Sequence, residues 1–229
     1  MCDFEFDLHR TKLYEQVADR IQALIVREEL GAGEKLPGER ELAESLGVCR
    51  TVVREAIRAL EVRGLVLVKP GCGTYIRAYD AADAATPVTL YLRLLGEGAS
   101  TEAVEIARGL APELAASAAI RGSATDHEVL KQALLAIGPG ETLEAAGLDA
   151  FWAALVAASG IGLYVAALLP AMSWLHGQLA AQEVAVAPWL TRCGAVLTPV
   201  RNREAVVARA IGRDYVSALT EELALLPAP

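Results

Sequence analysis

The chain has 229 residues, 54% of them apolar and 22% charged, with a formal net charge of −8. That apolar share, without low-complexity runs, excludes a disordered chain and leaves room for two domains or one large one. No apolar stretch reaches the roughly 18 residues a membrane span needs, and no charged segment leads into an apolar one at the N-terminus, so a cytoplasmic protein without membrane contact is expected.

A first helix is expected from about Lys12 to Glu28, burying Val17, Ile21, Leu24 and Ile25. A second runs from about Glu39 to Leu46, with Leu42, Ala43 and Leu46 as its apolar positions. Gly38 stands at its N-cap, Arg40 faces outward from its first turn, and Gly47 makes the turn that follows. A third starts at Cys49-Arg50. Val53, Ile57 and Leu60, with Ala56 beside them, form its buried stripe, while Arg50, Thr51, Arg54 and Arg58 fall on the opposite side. Two strands, Leu65–Lys69 and Thr74–Arg77, then pair across Pro70-Gly71-Cys72-Gly73, where glycines supply the positive φ of a tight hairpin.

Helix, turn, helix and hairpin in this order spell a winged helix-turn-helix, which carries one helix into the major groove with a wing beside it. An arginine fork matches guanine O6 and N7 together, and Thr51 suits a phosphate or a thymine methyl. The charge balance agrees once the chain is divided. Residues 50–77 carry six Lys/Arg against Glu55 and Glu61, a local +4, whereas residues 81–229 carry nine Lys/Arg against fifteen Asp/Glu. The acidity therefore belongs to a separate region.

The segments LYEQVADRIQALI (13–25), LPGERELAESLGV (36–48), CRTVVREAIRALEVRGLV (49–66) and GCGTYI (71–76) resemble the N-terminal domain of the GntR family of bacterial transcription regulators. The resemblance implies contacts to double-stranded DNA from Arg40, Arg50, Thr51, Arg54 and the wing glycines Gly71 and Gly73. Arg58 and Cys49 complete the candidate face. Gly38 and Cys49 depart from the family, which usually carries hydroxyl residues there, and the phosphate contact of a hydroxyl at position 49 is in doubt. The cysteines, at positions 2, 49, 72 and 193, form no CxxC pair and no Cys/His metal spacing, so free thiols are expected. For Cys49 and Cys72 a redox role stands beside the plainer reading of small cap and loop residues.

Domain bounds are expected at 1–77 for the winged domain, 78–87 (AYDAADAATP) for a linker, and 88–229 for an all-α bundle. Helical patterning covers about 87–97, 101–121, 125–137, 141–159, 162–183, 188–211 and 214–226. Thr125 with Glu128 reads as a capping box, Asp214 as a cap for the last helix, and Gly122, Gly160 and Gly212 as boundaries. The stretches APELAASAA (111–119), FWAALVAASGIGL (151–163) and VVARAIGRDYVSAL (206–219) resemble the helical ligand-sensing domain, of FCD type, in the FadR subgroup of the same family.

Many members of that subgroup hold a divalent metal with one Asp and three His. Here Leu148, Trp152 and Arg203 stand at three of those positions, and the fourth falls near Leu225. Asp149 lies one residue off register, and His9, His127 and His176 do not compose a ligand set, so neither metal nor other cofactor is expected. An apolar pocket of Leu148 and Trp152 with one guanidinium, Arg203, would suit an organic acid or acyl-type effector. Arg108 and His176 are further candidates, and the alternative is an Arg203 that points to solvent.

Three functions are open to such a chain. One is a metal-free, ligand-responsive regulator, most simply a repressor, acting as a homodimer on a short inverted repeat. A second is a DNA-binding protein whose helical region only dimerises. The third, an enzyme, is not expected. No Ser/His/Asp set, phosphate loop or paired carboxylates stand at suggestive spacing. A pyridoxal-phosphate domain of the kind some relatives carry would need a longer chain and a Schiff-base lysine, and Lys131 is the sole lysine after the wing.

Overall fold

In the computed structural model, whose described residues are 13–27, 30–78, 81–138 and 142–224, the first helix, α1, spans Leu13–Val26 and buries Val17, Ala18 and Ile21. Helix α2 (Glu39–Leu46) ends at Gly47, whose φ of 65° lets its N–H turn back to the carbonyl of Ala43. Helix α3 (Arg50–Val62) follows at once, burying Val53, Ala56, Ile57 and Leu60 against α1 and α2. Strands β1 (Val66–Lys69) and β2 (Gly73–Ile76) pair antiparallel, Val66 opposite Ile76 and Lys69 opposite Gly73. One core joins these elements, with Leu36 sealing its edge.

Residues 33–36 add a partial third strand that the sequence does not announce. The Leu36 N–H donates to Thr74 O, that of Ile76 to Glu34 O and that of Gly33 to Ile76 O. Gly33 and Pro37 flank this piece, so no period-2 apolar pattern marks it. Gly73, at φ 115°, is held close: a Cβ there would lie 2.6 Å from Lys35 Cε.

A second unit begins at Ala81. It comprises α4 (Ala81–Leu95), a 3₁₀ turn at Gly96–Gly98, α5 (Ala99–Arg121), α6 (Ala124–Ala136), α7 (Ala145–Ser159), α8 (Leu163–Ala167), α9 (Leu169–Ala180), α10 (Val186–Arg201) and α11 (Ala205–Ala224). Its axis is α5, whose Ala99, Ala103, Ala107 and Ala111 repeat every four residues and are all fully buried. Small side chains let neighbouring helices approach closely, and Leu148, Phe151, Trp152 and Trp189 fill the remaining core.

Several expectations are corrected. Residues 81–87 of the expected linker belong to α4, because an alanine-rich segment is a good helix former as well as a plausible spacer. The expected helix 162–183 is two, broken at Leu168, since Pro170 in the next turn lacks an N–H and α9 starts around it. The capping box lies at Ser123 and Asp126, not Thr125 and Glu128: Asp126 N–H donates to Ser123 Oγ at 3.2 Å and Ser123 N–H to Asp126 Oδ2 at 2.8 Å.

Gly212 ends no helix. It sits inside α11, where a Cβ would meet Ala111 O and Pro112 Cα of α5 at 3.1 Å, and Asp214, expected as a cap, lies in the same helix. The break falls instead at residues 202–204, where Arg203 takes a left-handed φ of 61°. Leu225 and His9 lie outside the described residues.

Candidate nucleic-acid interface and effector cleft

The candidate reading face lies on α3. Its apolar stripe turns Arg50, Thr51, Arg54 and Arg58 outward, and all four are exposed. Arg54 is held by Glu39 at the start of α2, its Nη2 donating at 3.1 Å and its Nε at 3.4 Å to both carboxylate oxygens. This bond raises the guanidinium pKa further above its ordinary value. Arg58 pairs with Glu55 at 2.8 Å and Arg40 with Glu44 at 2.9 Å, whereas Arg50 has no ion pair among the described residues. Exposed pairs of this kind contribute little to stability and exchange readily for phosphate.

Cys49 occupies the N-cap of α3 without a side-chain cap bond; its carbonyl takes the Val52 N–H at 3.1 Å, and the N–H groups of Arg50 and Thr51 are the ones that point out of the helix end. On the wing, Gly71 sits at φ 73° and exposed Cys72 beside it. Two cations lie over the Tyr75 ring, Lys69 Nζ at 4.8 Å and Lys35 Nζ at 5.9 Å from its centre. Glu39, Lys35 and Lys69 were not singled out from sequence. For Lys35 and Lys69 the cross-strand partner Tyr75 is the missing signal. For Glu39 a carboxylate at the first position of α2 was the available clue.

In the helical unit, Asp149 of α7 is the meeting point. Ser173 Oγ donates to its Oδ2 at 2.7 Å, and His176 Nδ1 lies 2.7 Å from its Oδ1. Ser173 and His176 are three apart on α9 and so share a face. The far nitrogen of His176, Nε2, lies 3.2 Å from the hydroxyl of Tyr215 on α11. A neutral imidazole satisfies both contacts, Nδ1–H donating to the carboxylate and Nε2 accepting from the phenol.

Burial, with the Cys193 thiol second, keeps the Tyr215 hydroxyl protonated well above the ordinary phenol range. Burial likewise pushes the Cys193 thiol up to about 12. Rings of Trp152 and Trp189 lie 4.9 and 5.4 Å from that of Tyr215. The Trp152 indole N–H is buried without a hydrogen-bond partner.

Above this network opens a cleft of about 270 Å³. Trp152 and Met172 floor it, Ala85, Ala153, Val165 and Leu169 wall it, and Asp149, Ser173 and Thr89 are its polar groups. An adjoining hollow of about 290 Å³ shares Thr89, Pro170 and Ser173 and adds Arg93 and Trp174.

Of the expected effector residues, Trp152 and His176 belong to this neighbourhood, and Leu148 lies in the core next to it, fully buried. Arg203 does not. Its guanidinium donates at 3.2 Å to the carbonyls of Ile120 and Gly122, capping the end of α5, where the helix dipole favours a cation. With a left-handed φ of 61°, it lies at the break before α11, and it is not among the residues that line the cleft. Arg108 is exposed and paired with Glu105 at 3.2 Å. Among the described residues no group of three or more His, Cys, Asp or Glu could hold a metal, and no helix is long and apolar enough to cross a membrane.

Residues 13–76 match the model described as bacterial regulatory proteins, gntR family. The Uxu operon transcriptional regulator of Escherichia coli is 35% identical over 121 residues, which are 53% of this chain and 46% of that protein. The HTH-type transcriptional regulator LutR of Bacillus subtilis is 35% identical over 115 residues, 50% and 52% of the two chains. The chain thus spans about half the length of the curated relatives it matches. The solved structure of Streptococcus agalactiae GntR superposes with a TM-score of 0.68 at 25% identity, over 91% of this chain and 99% of that one.

Proposed function

We propose that the whole chain, whose residues 13–76 match the gntR family of bacterial regulatory proteins, is a sequence-specific DNA-binding transcription regulator of the cytoplasm, a repressor, and not an enzyme. One observation carries this reading: the α3 face opposite the buried stripe is a continuous exposed row of Arg50, Thr51, Arg54 and Arg58. Arginine at successive turns spans phosphate and base edge together. The reader is completed by Arg40, Cys49, Gly71 and Gly73, with Lys35 and Lys69 of the wing supplying added positive charge. One such helix covers only a few base pairs, so a homodimer on a short inverted repeat is the matching assembly.

The helical unit takes a small organic effector in the cleft above Asp149, without metal. Dimerisation alone would not need a carboxylate part-open to solvent at the base of an apolar cleft; Asp149 is 33% exposed. Selection from random duplexes with the full chain, followed by anisotropy titration, tests the DNA reading. The expected product is an inverted repeat whose affinity falls by orders of magnitude between roughly 50 and 200 mM salt. Selection without sequence enrichment, or a flat salt response, would overturn it.

A further inference from the structure

Resting on the reading that the helical unit houses an effector, we infer that its cleft takes a primary amine with an apolar or aromatic body, not an acid. The lining decides the sign. Among the described residues that line it there is no Lys, Arg or His, and the one ionisable group is Asp149. Its two hydroxyls have already spent their protons: Ser173 donates to Asp149 at 2.7 Å, and Thr89 donates to Ala85 O at 2.9 Å. What they offer a ligand is lone pairs. The nearby indole N–H of Trp152 is buried and exposes no surface to the cleft. The polar surface of the cleft is thus composed of acceptors around one negative charge.

Asp149 has room for a further partner. A carboxylate offers about four lone-pair positions, of which Ser173 and His176 take one each. The contact between His176 and Tyr215 holds the imidazole, and with it the carboxylate, in one orientation. An ammonium brings three donors and the opposite charge, matched to Asp149, Ser173 and Thr89. A ligand carboxylate would bring acceptors to acceptors and a like charge into an apolar cleft. Val165, Leu169, Met172, Ala153 and Trp152 then pack the ligand's body. The volume of about 270 Å³ fits one ring system on a short chain.

Titration calorimetry of the full chain with tryptamine and with indole-3-propionate tests this directly. Tryptamine is expected to bind at least tenfold tighter, and Asp149→Asn to remove that preference. Because the change also alters the His176 partner, Ala153→Trp serves as a second variant. Its position is exposed on the cleft wall, so it should abolish tryptamine binding without lowering the melting temperature. Arg93→Ala, in the adjoining hollow, should leave binding unchanged. Equal or tighter binding of the acid, tryptamine binding that survives Ala153→Trp, or loss of binding on Arg93→Ala would each overturn the inference. A chain that selects its DNA but binds neither indole overturns the amine cleft alone. One that binds tryptamine but selects no DNA upholds the cleft and overturns the regulator.

Discussion

The two units handle polar groups in opposite ways. The winged unit keeps its charged side chains outside a single apolar core, and its candidate reader residues on α3, Arg50 to Arg58, follow one another along little more than two turns and face solvent. In the helical unit, the polar groups are threaded through the core. His176 is fully buried, and Tyr215 beside it is 2% exposed. Each of them is satisfied by a residue from another helix. A surface that meets a polyanion needs charge and little precision in its support. A cleft that recognises a small molecule needs its one charge held still, and burial behind it supplies that rigidity.

The largest test of this contrast removes the floor of the cleft. Trp152→Ala deletes a fully buried indole between α7 and Tyr215 and should cost about 3–5 kcal/mol of stability. Urea denaturation followed by circular dichroism reads it, and a loss below about 1 kcal/mol would mean the core collapses around the gap.

On the reader side, Arg50→Ala should weaken specific DNA binding by about 1–3 kcal/mol, and Arg54→Ala similarly, with the denaturation midpoint unmoved because both side chains are exposed. A variant that keeps wild-type selectivity would show that its arginine reads no base. Gly212→Ala tests the packing of α11 on α5. A methyl at 3.1 Å from backbone atoms of α5 must push the helices apart, at about 1–3 kcal/mol. An unchanged melting temperature would show that the contact gives way freely.

A smaller effect belongs to the cap of α6. Ser123→Ala should cost about 1 kcal/mol. Hydrogen bonds from the Ser123 side chain and backbone hold the Asp126 carboxyl below the ordinary carboxylate range. A depressed carboxylate stabilises the fold above its unfolded pKa, and this stabilisation fades as pH falls through the lower folded value. The gap in melting temperature between wild type and Ser123→Ala should therefore narrow under acid conditions, and a gap that widens there would refute the assignment. The smallest test is chemical. Cys193 is buried with its thiol raised to about 12, so in a Cys2→Ser, Cys49→Ser, Cys72→Ser chain no thiol should react with a disulfide reagent at neutral pH until denaturant is added.

Legibility follows the same divide. Helices α2 and α3, the turn at Gly47 and the wing could be read directly, because their signals are local: a 3.6-residue period, a left-handed glycine, a glycine-bracketed hairpin. The bundle reads as helical, but its breaks are not where its glycines suggest. Gly212 has the look of punctuation and serves close packing, while the break rests on Arg203 in a conformation that glycine usually takes. Alanine-rich residues 81–87 read as a spacer and fold as helix.

By itself the sequence determined the class of the molecule, a winged helix-turn-helix followed by an all-α region, and which side chains of α3 point outward. These follow from periodicity, which a single element carries alone. Tertiary structure decided the chemistry of the cleft. Asp149 meets Ser173, His176 and, through His176, Tyr215 across separations of 24, 27 and 39 residues. No spacing rule within one helix encodes those meetings. The same packing put Arg203 on the carbonyl end of α5, away from the cleft, and so left the Asp149 carboxylate as the one charge among the described residues that line it.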